Sequence, residues 1–308
     1  MQTYGRRRFL QVTATTVAAA FTRQAFAGAA ADASKHPFRL GLLVSVKDDP
    51  DEVMAHVHSL GIPTAHVSMG EFSDAMAPRL RSALDHYEVE ATVFISGGPG
   101  TSKYDLVDGP ITNSLVPAQF RRERVDHLKR ASDFAKLAGI PAVFNQWGFI
   151  PEVPSDPWYE PTVEAVREIA SHCRGNGQVF YNETGQETPI TLLRTIQDVG
   201  MDNIAICLDA ANLVLYGKGN PVDALDVLGK YVCAVHAKGG FYPTDPRNLG
   251  RQVPAHEPNK VDWPRLIHRL KELDYGGTIT IEAVTRPPDR DRDIQDDKAY
   301  LEKLIAEA

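Results

Sequence analysis

Residues 177–212 read GQVFYNETGQETPITLLRTIQDVGMDNIAICLDAAN, and they decide the fold. The apolar run at 177–183, ending Phe180-Tyr181-Asn182-Glu183, reads as a strand. Leu192 and Ile196 then fall on one face at helical spacing, and Gly200 follows where a left-handed cap favours glycine. A second apolar run at 203–209 ends Ile206-Cys207-Leu208-Asp209. The passage is one strand, one helix and one more strand.

The same alternation extends outward in both directions. Further candidate strands lie at 38–46, 64–69, 91–95, 141–145, 231–236 and 277–282. Helical patterns separate them, with Val53, Val57 and Leu60, or Leu128, Phe134 and Leu137, on one face, and with Gly61, Gly139 and Gly229 just beyond. No Pro/Gly/Ser linker divides the run. Eight β/α units in about 270 residues imply an α/β fold, a single-domain (β/α)8 TIM barrel over 38–308. A doubly wound open sheet is the competing architecture, but no Gly-x-Gly-x-x-Gly follows the first strand.

Composition narrows the function. With 43% apolar and 24% charged residues among 308, the chain is neither disordered nor fibrous. Its formal charge of −7 would repel a polyanion, so nucleic acid is not the expected partner. Residues 1–27 carry Arg6, Arg7, Arg8 and Arg23 and no acid, with a weakly apolar stretch from Leu10 to Phe21 and Ala25-Phe26-Ala27 at the end. This reads as an export signal, too short in its apolar part to span a membrane. Gly5-Arg6-Arg7-Arg8-Phe9-Leu10-Gln11 resembles the twin-arginine pattern. That resemblance implies folded export through the twin-arginine machinery to the periplasm or outside, with 28–37 as a linker and no membrane contact after cleavage. Loss of four arginines takes the charge from −7 to −11.

In a TIM barrel the chemistry lies at the C-terminal ends of the strands. Four late strands end in Glu183, Asp209, His236 and Glu282. Residues two apart share a strand face, so Ala205 and Cys207 point inward with Asp209, and Val232 and Ala234 with His236. Thr278 and Thr280 likewise share the face of Glu282. Bulky Ile204, Ile206, Leu208, Ile279 and Ile281 then face the helices. By the same parity Cys233 faces out, away from Cys207, and three cysteines form no disulfide framework. Three carboxylates and an imidazole converging on one mouth need a cation, because close acids otherwise raise one another's pKa. The set suits one divalent metal ion, Mn²⁺ first, with Mg²⁺, Co²⁺ or Zn²⁺ as alternatives.

The runs Asn182-Glu183-Thr184-Gly185-Gln186-Glu187, Asp209-Ala210-Ala211-Asn212, His236-Ala237-Lys238 and Ile281-Glu282 resemble the sugar phosphate isomerase/epimerase family of xylose-isomerase-like TIM barrels. Gly148-Phe149-Ile150-Pro151-Glu152 and Val261-Asp262-Trp263 agree, and the likeness covers roughly 38–307. It implies Glu183, Asp209, His236 and Glu282 as metal ligands, with Glu183 and Glu282 as the catalytic proton-transfer pair. The activity implied is epimerisation or isomerisation of a small carbohydrate through an enediolate, stabilised by the ion. Lys238, Trp147, Gln146, Asn212, Glu187 and Arg286 are the candidate substrate contacts. The sequence departs from the family at Gly239, where an Asp is usual, at Gln146, where many relatives have His, and at Ala210, where Pro is usual.

Two long segments, 96–117 and 239–259, are expected to cover the mouth. Export favours a non-phosphorylated sugar or keto-sugar. A lyase or dehydratase acting on a 3-keto-glycoside or keto-cyclitol would use the same site. A barrel endonuclease needs a histidine three residues after the aspartate, where this chain has Asn212, and a non-catalytic sugar-binding protein would keep the fold alone. The oligomeric state stays open.

Overall fold

The computed structural model describes residues 38–308, so the leader and linker expected over 1–37 lie outside the described residues. The first half runs β1 (Arg39–Ser45), α1 (Pro50–Ser59), β2 (Thr64–Ser68), α2 (Met76–His86), β3 (Glu90–Ile95), α3 (Gly109–Thr112), α4 (Ala118–Ala138) and β4 (Ala142–Asn145). It continues with α5 (Tyr159–Gly175), β5 (Val179–Glu183), α6 (Pro189–Val199), β6 (Ile204–Asp209), α7 (Ala210–Leu215), α8 (Pro221–Leu228) and β7 (Val232–Ala237). A ribbon of β8 (Gly239–Gly240) and β9 (Gln252–Val253), then α9 (Trp263–Glu272), β10 (Thr278–Ile281) and α10 (Arg290–Glu307), complete it. Eight parallel strands close in the order β1-β10-β7-β6-β5-β4-β3-β2. Every expected strand is present, and the fold is a single-domain (β/α)8 TIM barrel. Among the described residues no helix is long and apolar enough to cross a membrane.

Helix ends follow local chemistry. Thr188 caps α6 through its hydroxyl and Gly200 ends it at φ 67°. The strands sort their side chains by parity. Val93, Ala142, Phe144, Cys207 and Ala234 pack together in the lumen, while Ile204, Ile206, Leu208, Ile279 and Ile281 join the core under the helices. Small groups inside leave room at the mouth for longer polar side chains.

Two expectations need correction, one from parity and one about substrate contacts. On β7, Ile206 pairs with Val232 but Cys207 pairs with Ala234, so Cys233 is an extra residue in a β-bulge. Below the bulge the faces exchange. Val232 joins the outer core, and the exposed Cys233 lies beside the phenol of the lumen residue Tyr181 instead of facing the helices. The second correction concerns β5. With Glu183 inward, Asn182 points outward, where its Oδ1 accepts from the Trp147 backbone N–H at 2.8 Å and its Nδ2 donates to Glu187 Oε1 at 2.8 Å. Trp147 is fully buried and stacks on Phe180 at 5.8 Å, and Glu187 is 2% exposed. Both expected substrate contacts therefore belong to the layer between barrel and helices.

Two outcomes follow. Native protein treated with a thiol reagent should lose one thiol quickly, Cys233, while Cys173 and Cys207 label only on unfolding; rapid labelling that survives Cys233→Ser would contradict the bulge. Burial raises Glu187 from 4.5 to about 8. The unfolded chain then gives up this proton first, so stability falls as pH rises from about 4.5 to about 8, by at most about 1.4 kcal/mol per unit. Glu187→Gln has no such proton, and urea unfolding at pH 5 and pH 8.5 should show the variant gaining on the wild type at the higher pH. An unchanged difference would place Glu187 in water.

Candidate active site

Four strand ends bring Glu183, Asp209, His236 and Glu282 together, and one ligand atom from each lies within 4.8 Å of all the others. His236 Nδ1 is 2.7 Å from Glu183 Oε1, 3.5 Å from Glu282 Oε2 and 4.0 Å from Asp209 Oδ2. Asp209 also caps α7. Its Oδ1 accepts from the Asn212 backbone N–H at 2.7 Å, which fixes the carboxylate and turns Oδ2 into the cluster. Oδ2 is buried without a hydrogen-bond partner. Three carboxylates and one imidazole nitrogen are a donor set that fits a hard divalent cation.

Lys238 lies inside the cluster and is 3% exposed. Its Nζ is 2.6 Å from Glu282 Oε1 and 3.0 Å from Asp209 Oδ2. Burial alone would lower its pKa, but Asp209, Glu282 and Glu183 raise it well above the usual value. Burial pushes Asp209 up, to about 7, against the pull of Lys238 and with Glu282 and Glu183 adding to the push. Glu282 moves the other way. Burial opposes ionisation there, yet Lys238 and His236 hold it far below the ordinary carboxylate range. For His236, burial is outweighed by Cys207, Glu183 and Glu282, which keep it well above the usual imidazole value.

Gln146 Nε2 donates to Glu183 Oε2 at 2.5 Å, and Gln186 Nε2 donates to Gln146 Oε1 at 3.3 Å. These amides orient Glu183 from the side opposite His236. Gly185 lets the chain turn back over them: at φ 145° a Cβ there would lie 2.6 Å from the Asn212 Cβ. Of the six expected substrate contacts, Lys238, Gln146 and Asn212 line the mouth. Arg286 does not. It is exposed in the turn before α10, which the Thr285 hydroxyl ties to Asp293 at 2.7 Å, and it lines neither cavity at the mouth.

Two cavities meet at Glu183, Glu282, Gln146 and Tyr104. One of about 210 Å³ is lined by Ser68, Ser96, Ser102, Asn113 and Asn145; the other, about 510 Å³, by Asn212, Tyr216, Lys238, Leu249 and Gln252. Lys238 is the one lysine or arginine in either lining.

The segments 96–117 and 239–259 do form the upper wall, and Leu106 N–H donates to Arg247 C=O at 3.1 Å between them. Arg124 of α4 holds the first. Fully buried, its guanidinium donates to the carbonyls of Pro99, Thr101, Thr112 and Ser114 at 2.7–3.0 Å and to Ser102 Oγ at 3.2 Å. Tyr104 from that segment faces the carboxylates, with burial and Glu183 raising its phenol pKa. Sequence reasoning missed Arg124, which looks like a surface charge within Arg121-Arg122-Glu123-Arg124, and Tyr104, which carries no motif.

It also missed His66. This fully buried side chain of β2 has its Nδ1 2.9 Å from His236 Nε2 and its Nε2 3.4 Å from Thr278 Oγ1. Cys207 completes a second convergence with the two rings, whose 2.9 Å N···N separation is a hydrogen bond. Strand parity offered a signal for His66, since Thr64, His66 and Ser68 share one face and Ser68 lines the cleft.

The sequence profile of the family described as "Xylose isomerase-like TIM barrel" matches residues 55–304. The structure of a xylose isomerase domain protein from Planctomyces limnophilus is 31% identical, with a TM-score of 0.80 over 88% of this chain and 99% of that one. A D-psicose 3-epimerase, solved in the presence of D-fructose, shares 16% identity and a TM-score of 0.65 over 87% and 100%. A 3-keto-D-glucoside 4-epimerase from E. coli gives 16% and 0.66 over 86% and 99%. At that identity the last two show the shared fold alone. No curated protein matches the sequence. The chain belongs to the xylose isomerase-like TIM barrel family.

Proposed function

We propose that the protein is a divalent-metal-dependent epimerase or isomerase of a non-phosphorylated sugar or keto-sugar, with Glu183 and Glu282 exchanging protons with the substrate. The convergence of Glu183, Asp209, His236 and Glu282 in one cluster carries this reading. These four residues would hold the ion, Mn²⁺ by preference. When bound, the ion supplies positive charge for the sugar's carbonyl and hydroxyl oxygens, where negative charge builds as the neighbouring C–H bond breaks. Sugar epimerases among the proteins of like fold agree with it.

The chain's own groups divide the work. Glu282, kept ionised by Lys238 and His236, accepts the proton from carbon. Glu183 approaches from a different strand and is held by Gln146, so it can return a proton from another direction. Ser96, Ser102, Asn113 and Asn145 offer neutral donors and acceptors to hydroxyl groups. Lys238, the one lysine or arginine among the described residues of the two linings, is already shared by Asp209 and Glu282, which leaves no free lysine or arginine there for a phosphate. A second reading, a lyase or dehydratase of a 3-keto-glycoside or keto-cyclitol, is favoured by the two cavities. They lie on either side of the carboxylates and give a substituted sugar a place for each end.

Incubation in D₂O with Mn²⁺ and a panel of ketoses, keto-glycosides and inosose, followed by NMR after removal of protein and metal, tests both readings. Deuterium should enter at one carbon, vanish with a chelator and return with added Mn²⁺. An unsaturated or cleaved product would select the lyase, and conversion without deuterium would select hydride shift over proton exchange. Glu183→Gln and Glu282→Gln should each slow exchange by about 10²–10⁴-fold in a folded barrel. Near-normal exchange in either variant would sink the two-glutamate mechanism. We further propose that residues 1–27 send the folded protein through the twin-arginine route to the periplasm or beyond. Replacing Arg6 and Arg7 by lysine should then trap it in the cytoplasm, and undiminished export would refute that route.

A further inference from the structure

We infer that His66 is a positioning residue for the metal centre: by accepting the Nε2 proton of His236 across the lumen, it makes Nδ1 the nitrogen that faces the ion. This rests on the metal reading above and adds a residue that the strand ends do not supply. His66 belongs to β2 and His236 to β7, and β1 and β10 stand between them in the sheet. Their contact therefore spans the barrel interior and does not follow from strand pairing.

The chemistry follows from counting ring protons. A nitrogen that binds a cation must offer a lone pair, so the neutral ring of a ligating histidine carries its one proton on the other nitrogen. At His236 the nitrogen among the carboxylates is Nδ1, 2.7 Å from Glu183 Oε1. The proton must then sit on Nε2, which faces His66 Nδ1 at 2.9 Å. That contact needs one donor and one acceptor, so His66 presents its lone pair at Nδ1 and carries its own proton on Nε2, toward the Thr278 hydroxyl at 3.4 Å. Both rings are fully buried, so no water replaces the partner that either would lose. Phe144 lies against His236, with ring centroids 5.5 Å apart, and flanks the imidazole on a further side. Flipping the His236 ring would turn a carbon toward His66 and give up the bond. The arrangement thus selects both the tautomer and the rotamer of the ligand.

The test uses the full barrel with ¹⁵N-labelled histidine. In Mg²⁺-loaded wild type, His236 should carry its proton on Nε2, with a through-hydrogen-bond ¹⁵N–¹⁵N coupling to His66 Nδ1. A proton on His236 Nδ1 in that state, or no coupling, overturns the inference. Calorimetric titration with Mn²⁺ should show His66→Leu binding about 10–100-fold more weakly than wild type. His66→Gln, whose amide oxygen can accept the same proton, should recover most of the loss. Wild-type affinity in His66→Leu would also overturn the inference; if that variant does not fold, the wild-type coupling and the Gln variant decide. Coupling in a protein that binds no Mn²⁺ would instead overturn the metal reading itself. Mn²⁺ binding without the coupling removes only the role of His66.

Discussion

Three carboxylates that meet at the end of a narrow barrel must be neutralised where little water reaches them, and the site is organised around that requirement. At 4 Å and an effective dielectric near 20, two like charges repel by about 4 kcal/mol. Lys238 is the cation placed among them, with the His236 ring alongside, and both are buried. The balance is incomplete, for one lysine is shared between Glu282 and Asp209 while the other Asp209 oxygen is spent on the first turn of α7. Three carboxylates that share one lysine, with one of them fixed by a helix cap, form a donor set that suits a positive guest.

The lumen beneath carries the same logic downward. Its apolar filling is small, with Ala142, Cys207 and Ala234 among the packed residues, and its polar members are linked in a line from Thr278 through His66 to His236. Thr278, His66 and His236 partner one another there, because an unpaired polar group in this dry interior costs about 1–3 kcal/mol. The candidate site is therefore not a feature added at the mouth. It continues a polar line that begins at Thr278, four residues before Glu282 on β10, and passes through His66 of β2.

Much of this was legible because strand period and barrel geometry leave few choices. The four candidate ligands fall at strand ends, where the fold forces chain and chemistry to coincide, and parity assigned their apolar neighbours correctly on β6 and β10. Parity failed where the period itself breaks: no residue type announces the bulge at Cys233, since it arises from the register between β6 and β7. Trp147 and Glu187 were misplaced for a different reason. They stand close in sequence to Glu183 and Gln146, but the outward-facing Asn182 gathers both behind the barrel wall, so proximity along the chain misled where strand face would not have. Arg124 and Tyr104 belong to a segment whose path is set by tertiary hydrogen bonds, and nothing periodic in the sequence encodes it.

That segment also changes what a lid means in this barrel. A loop that opens and closes must exchange its contacts for water at little cost, yet 97–114 wraps a buried guanidinium that donates to four of its carbonyls and one hydroxyl. Each such charge-assisted bond is worth about 1.5–3 kcal/mol, and lifting the loop would strand a cation with no carboxylate to receive it. The smaller cavity accordingly has a fixed wall, with Ser102 and Asn113 held in place by the wrapped segment. The larger cavity is bordered instead by Leu249, Gly250 and Gln252, beside the ribbon of β8 and β9. On the proposed function, the rigid wall fixes how a sugar lies against Glu183 and Glu282, and so which carbon the pair meets.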